Sequence, residues 1–345
     1  MNILIGPNGS GKSNFIGVFS FLHAIREGRL SEYVTAIGGA EKILHFGSKT
    51  TEKIDLLISF RDEVNQYDLT LRPTEDDQLF PVAEHACFWV KSQYPKPCQN
   101  FLVPQKGGRE AGISGSNLDR SAARVRSRLG EWRLYHVHDT SSSSPMRKTA
   151  KLHDNDFLRP DGSNLAAFLY YLREKHKESY GLIQRTIQRV APFFDDFQLK
   201  PLRLQPDDIK LEWKHRNSEQ YFDASSLSDG TLRFIALAAL FLQPTIYRPS
   251  VILVDEPELG LHPYAIEMLA SLIRSASSET QVIVGTQSSL LLDHFEPEDV
   301  LVAERVEGAT QIRRLEREPL ARYQDDYSLG QLWEKNELGG RPHRD

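Results

Sequence analysis

The chain has 345 residues, 40% of them apolar and 26% charged, with a formal net charge of −5; this supports a folded core and excludes a generally polyanion-binding protein. Its longest uninterrupted apolar run, residues 234–242, falls far short of the ~20 residues that span a bilayer, so no membrane role is expected. The N-terminal apolar stretch does not read as a secretory signal. The two cysteines, Cys87 and Cys98, lack CxxC spacing, so neither a disulfide framework nor a zinc site is expected, and the chain reads as cytoplasmic.

A short apolar strand over residues 2–5 runs into Gly6-Pro7-Asn8-Gly9-Ser10-Gly11-Lys12-Ser13. Apolar residues at helical spacing follow (Phe15, Val18, Phe19, Leu22, Ile25), ending near Gly28. Strand, Gly-x-x-x-x-Gly-Lys-Ser and helix in that order form a Walker A phosphate loop. Glycines let successive backbone N–H groups curl around an anion, and the helix N-terminus adds its positive dipole end. Asn8, Gly9, Ser10, Gly11, Lys12, Ser13 and Asn14 are the candidate nucleotide-binding residues. Lys12 would reach the β- and γ-phosphates, and the Ser13 hydroxyl would ligate Mg2+.

Alternating residues at 53–60 and 66–71 predict a hairpin, and residues 91–117 a loop-rich insertion. Between 120 and 151 the balance turns basic: Arg120, Arg124, Arg126, Arg128, Arg133, Arg147, Lys148 and Lys151 face only Glu131 and Asp139. Such a cluster can grip a phosphate backbone, with Arg124, Arg126 and Arg128 the candidate nucleic-acid contacts; it can equally be a solvated face, or serve the nucleotide or a partner. Residues 132–138 read as a strand that puts His136 and His138 on one face. With Asp139 they suggest a metal, but no third ligand is specified and no metal site is assigned. Helices are predicted over 162–178, capped by Asn164, and over 180–191, stopped by Pro192; sustained heptads are absent. Strands are predicted over 197–204 and 209–213.

Three further motifs follow. Leu227-Ser228-Asp229-Gly230-Thr231 precedes an apolar helix and would form a second anion-binding cap. Val251-Ile252-Leu253-Val254-Asp255-Glu256-Pro257 reads as a central strand, buried on both faces and ending in two carboxylates: a Walker B segment. Asp255 would hold Mg2+ and Glu256 would orient and deprotonate the attacking water. Residues 281–288 form another buried strand ending in Thr286-Gln287-Ser288, where Gln287 could sense the γ-phosphate or position water; a helix over 264–276 completes a βαβ unit.

The phosphate loop, LSDGT, VILVDEPELGLHP and TQS in that order resemble the ABC-type ATPase heads of the RecF/SMC-like branch, and in particular bacterial "AAA family" ATPases carrying LSDGTLRF, DEPELGLHP and TQS. These end in a segment like Tyr327-Ser328-Leu329-Gly330-Gln331-Leu332-Trp333-Glu334…Gly339-Gly340-Arg341-Pro342. The resemblance implies an α/β fold: an ABC-type P-loop NTPase head with a mixed sheet flanked by helices, an inserted helical, loop-rich lobe and no long coiled coil. The expected division is 1–84 (first part of the nucleotide lobe), 85–200 (inserted basic lobe) and 201–345 (signature, Walker B and switch).

It also implies ATP and Mg2+ as cofactors and a head-to-tail homodimer, with Ser228, Asp229, Gly230 and Thr231 acting in trans on the partner's nucleotide. Glu256 would be the catalytic carboxylate, Gln287 would stand in for the family's switch histidine, and His262 would lie in the interface loop. Relatives place strands before the phosphate-loop strand, so the adenine contacts are not assigned, and neither is the Q-loop glutamine. The implied activity is an ATPase in DNA maintenance or anti-phage defence. The alternative is an ATP-gated scaffold with little turnover that controls a separate effector such as a nuclease.

Overall fold

The computed structural model describes residues 1–60, 64–90, 92, 93, 95, 98–102, 104–318, 320 and 326–339; the side chains of Cys98 and Gln99 are excepted. Gly340, Arg341 and Pro342 of the C-terminal motif lie outside the described residues, as does the Cys98 side chain. The chain forms two compact units, residues 1–16 with 133–345, and residues 17–132. The sequence placed boundaries at 84 and 200 instead.

The first unit is built on a six-stranded sheet in the order Ala309–Arg314, Val300–Val306, Asn2–Ile5, Gln281–Gly285, Val251–Asp255, Trp132–Tyr135. Asn2–Ile5 runs parallel to both its neighbours, and Val251–Asp255 runs parallel to Gln281–Gly285, with Asp255 opposite Gly285. Ala309–Arg314 turns back, antiparallel to Val300–Val306. Ile252, Leu253, Val254, Val282 and Val284 are buried, as expected of parallel strands covered on both faces. The apolar run noted in the sequence lies in the helix Asp229–Leu242, buried from Leu232 through Phe241, so it is an interior helix; among the described residues no helix is long and apolar enough to cross a membrane.

Residues 133–200 share this core: Leu165, Ala166, Ala167, Phe168, Leu169 and Leu172 of the helix Leu165–Lys175 are buried in one cluster with Ile3, Ile252 and Val284 of the sheet. Asn164 does not cap that helix. Its Oδ1 accepts from the Arg159 N–H at 2.8 Å and its Nδ2 donates to the Asp154 and Phe157 carbonyls, so it staples the preceding loop. The second helix is Lys177–Val190. The strands predicted at 197–204 and 209–213 are Phe194–Gln198, Pro201–Leu202, Gln205–Ile209 and Glu212–His215. Two separate three-stranded sheets draw on them, which breaks the chain at 210–211 where simple alternation suggested continuity.

The second unit contains a four-stranded antiparallel sheet, Ile54–Phe60, Asn65–Pro73, Leu79–Phe88, Cys98–Phe101. The predicted hairpin is present, pairing Phe60 with Asn65. Alternation buries Tyr67, Leu69 and Leu71 against the helix Arg120–Gly130, whose stripe is Ala122, Val125 and Leu129. Asp119 caps that helix by accepting from the Ala122 N–H at 2.7 Å. Two buried carboxylates tie down the loop-rich stretch. Glu84 accepts from Tyr67 Oη at 2.8 Å and from the Gly112 and Ile113 N–H groups, and Glu110 accepts from the Leu30 N–H at 2.7 Å at the start of the helix Leu30–Ile37.

Candidate nucleotide site

The phosphate loop leaves the strand Asn2–Ile5 and enters the helix Lys12–Glu27. Gly9 and Gly11 take φ of 81° and 94°, left-handed backbone that lets the loop curl. A Cβ on Gly11 would lie 2.0 Å from Thr310 Oγ1, so the return strand of the edge hairpin also requires a glycine there. Lys12, 6% exposed, folds its ammonium onto the Gly6 and Pro7 carbonyls. Burial lowers its pKa, and Glu256 and Asp255 oppose that shift, which places both carboxylates in the field of Lys12. Asn8, Gly9, Ser13 and Asn14 are exposed; Ser10 is buried, and its hydroxyl has no hydrogen-bond partner among the described residues.

The two carboxylates emerge at the end of Val251–Asp255. A Cβ on Gly285 would lie 2.5 Å from Asp255 Oδ1 and 2.7 Å from Ile16 Cδ1, so only glycine lets the Asp255 carboxylate cross the neighbouring strand toward the phosphate-loop helix. Burial, then the adjacent Glu256, raises the Asp255 pKa, and His138, Lys12 and His136 oppose it. Glu256 has φ 42°, left-handed backbone in a residue with a Cβ, the kind of strain that clusters at functional positions. It is held by its N–H on the Gly285 carbonyl at 2.7 Å and by Gln287 Nε2 on Oε1 at 2.7 Å. The open loop, the orphaned Ser10 hydroxyl, a lysine facing two acids and a carboxylate directed at the loop fit a nucleoside triphosphate with Mg2+. Asp255 and Ser13 are the residues that would hold the metal.

Sequence reasoning missed what stands beside these acids. The strand Trp132–Tyr135 lies next to Val251–Asp255 in the sheet and leads into His136, Val137 and His138. Val137 is buried, and the two histidines have ring centres 6.4 Å apart. Burial lowers the His138 pKa, opposed first by Asp255. Among the described residues no group of three or more His, Cys, Asp or Glu is arranged to hold a metal ion. Arg233, 6% exposed, fixes the segment: Nε donates to the Val137 carbonyl at 3.0 Å and Nη2 to that of His138 at 2.9 Å.

Arg233 belongs to the helix opened by Ser228, whose hydroxyl accepts from the Thr231 N–H at 3.2 Å and shares a hydrogen with Thr231 Oγ1 at 2.8 Å. Ser228 and Asp229 are exposed. Arg147, counted by sequence in the basic cluster, is not on a solvated face. Its side chain is 7% exposed and donates to the Thr140, Ala224 and Leu227 carbonyls and to Asp229 Oδ1 at 2.9 Å. Gly230 packs on the loop after Glu256, where an added Cβ would sit 2.2 Å from the Gly260 carbonyl oxygen. His262 is exposed, and its Nδ1 accepts from the Tyr264 N–H at 3.3 Å, capping the helix Pro263–Ser277.

The candidate nucleic-acid residues lie in the second unit. Arg124 and Arg128 are exposed one helical turn apart. Arg126 turns inward, with Nη1 on the Gly115 carbonyl at 2.9 Å and its own carbonyl accepting from Arg26 Nε. Arg128 pairs with Glu131 at 3.0 Å.

A parallel-dominated sheet with a phosphate loop at its centre and a carboxylate strand two places away defines a P-loop NTPase head of the ABC type, as in the RecF/SMC-like branch. The chain belongs to the family described as "AAA domain, putative AbiEii toxin, Type IV TA system", whose model matches residues 1–293. Among solved structures it is similar to an SmcHead bound to the C-winged helix domain of ScpA, with TM-score 0.57, 15% identity, and coverage of 93% of this chain and 91% of that one. It is also similar to an Smc head domain with an extended coiled coil bound to the C-terminal domain of ScpA derived from Pyrococcus furiosus, with TM-score 0.50, 13% identity, and coverage of 94% and 92%. At such identity the likeness concerns the fold. No curated protein sequence gives a significant match.

Proposed function

We propose that this chain binds ATP with Mg2+ and hydrolyses it in a head-to-tail homodimer. The carrying observation is Glu256, which has φ 42° and accepts from Gln287, beside Asp255 and Lys12. The phosphate loop, residues 8–14, takes the triphosphate, and Lys12 exchanges loop carbonyls for phosphate oxygens. Mg2+, which Asp255 and Ser13 would hold, would supply positive charge that neutralises the phosphates. Glu256 accepts the proton of the attacking water, with Gln287 fixing its Oε1. Ser228, Asp229, Gly230 and Thr231 close on the partner's nucleotide, and the exposure of Ser228 and Asp229 on an otherwise buried helix supports this. His262 lies in the interface loop. Closure and release of the dimer would transmit a conformational change in DNA maintenance or anti-phage defence.

A second reading is favoured by the same hydrogen bond. Gln287 already occupies one oxygen of Glu256, which suits slow turnover and an ATP-gated scaffold acting on a separate effector such as a nuclease. The dimer is tested by sedimentation of Glu256→Gln with and without ATP and Mg2+. A dimer with nucleotide, lost in Lys12→Ala, is expected; a monomer under all conditions overturns it.

A further inference from the structure

Glu258 is a buried carboxylate that hydrolysis as described does not use. It is 7% exposed, and burial raises its pKa. Its Oε1 accepts from the hydroxyl of Thr286, which is fully buried, while its Oε2 has no partner among the described residues. A carboxylate placed there for packing alone would be costly, since an apolar side chain of similar size avoids the desolvation. Its position is informative. Glu258 lies two residues after Glu256, and Thr286 lies one before Gln287.

The ends of the two strands are therefore joined three times. The Glu256 N–H donates to the Gly285 carbonyl at 2.7 Å, Gln287 Nε2 donates to Glu256 Oε1 at 2.7 Å, and Thr286 Oγ1 donates to Glu258. Thr286 is itself fixed on both sides: its N–H donates to the Leu4 carbonyl at 3.0 Å, on the strand feeding the phosphate loop, and its hydroxyl accepts from the Ser288 N–H at 3.0 Å.

We propose that Glu258 and Thr286 form a buried latch that positions Gln287, and through it Glu256, against the phosphate loop. Both are positioning residues with no contact to nucleotide, and the inference rests on the hydrolytic reading above. Without the latch the residue before Gln287 loses its side-chain anchor, leaving the exposed bond to Glu256 to hold Gln287 in place, and displacement of a reacting group by about 1 Å costs on the order of a hundred-fold in rate.

Thr286→Val keeps the shape and removes the hydroxyl, whereas Thr286→Ser keeps the hydroxyl. The expected result for Thr286→Val is a kcat lower by about ten- to a hundred-fold with KM and ATP affinity unchanged, and recovery in Thr286→Ser. Glu258→Leu should behave like Thr286→Val, while Glu258→Gln, which still offers an acceptor, should retain more activity. Thermal melting confirms that each variant is folded. Wild-type kcat in folded Thr286→Val, or equal losses of affinity and kcat in Val and Ser variants alike, overturns the latch. A wild type with no turnover above Lys12→Ala overturns hydrolysis itself, and the latch with it.

Discussion

Gln287 donates its amide hydrogen to Glu256 across two neighbouring parallel strands, with Nε2 and Oε1 2.7 Å apart. Glu256 directly follows its strand and Gln287 lies two residues past the end of its own, so the bond spans the crevice beyond the carboxyl ends of the sheet, where open α/β folds bind ligands.

Gly230 and Gly260 bring the signature helix and the loop after Glu256 into backbone contact. Gly230→Ala should therefore separate them, destabilise the chain by about 1–3 kcal/mol and abolish ATP-dependent dimerisation. Gly17 is the contrast, inside a helix with nothing near an added Cβ; Gly17→Ala should stabilise by roughly 0.5–1 kcal/mol. Urea denaturation of both variants checks the opposite signs.

Arg147 should matter more than its ion pair. Asp229 is 66% exposed, so the salt bridge itself contributes little, but the Thr140, Ala224 and Leu227 carbonyls depend on the guanidinium. Arg147→Met should cost about 1–3 kcal/mol and Asp229→Ala under 1 kcal/mol, measured by chemical denaturation.

Glu84 links stability to pH. Burial holds its carboxyl above the usual range against three hydrogen bonds that lower it. The folded pKa thus exceeds the unfolded one, so its contribution is full below the unfolded value of about 4.3 and is lost as pH rises through the folded value. Glu84→Gln should flatten the decline in denaturation midpoint over that mildly acidic window, as read from melts at stepped pH.

For nucleic acid, the geometry separates the three arginines. Arg124→Glu with Arg128→Glu should weaken DNA binding and lessen its salt dependence. Arg126→Met should act on stability, through the Gly115 carbonyl it would leave unpaired. Unchanged DNA binding in the double variant removes the proposed contact.

What the sequence made legible was chemistry written in contiguous residues. Gly9 and Gly11 must adopt positive φ, Asp255 and Glu256 must follow a buried strand, and Ser228 must cap a helix; each constraint is local. Arg147 and Arg233 were not legible because their partners are mainly backbone carbonyls 77–96 positions away, and a carbonyl leaves no trace in residue identity. That His138 lies in the field of the Walker B acids was hidden for the same reason, since it depends on Trp132–Tyr135 lying beside Val251–Asp255. The helix Arg120–Gly130 escaped because its arginines mask a stripe of only Ala122, Val125 and Leu129. Asn164 misled because a cap and a loop staple call for the same side chain.

In the proposed reaction Glu256 drives ATP hydrolysis from its strained position. Phosphate release from ATP and Mg2+ should be measured for the wild type and for Glu256→Gln at saturating nucleotide. Steady turnover in the wild type, reduced at least about a hundred-fold in Glu256→Gln with ATP still bound, is the predicted result. Equal turnover in the two proteins would contradict it.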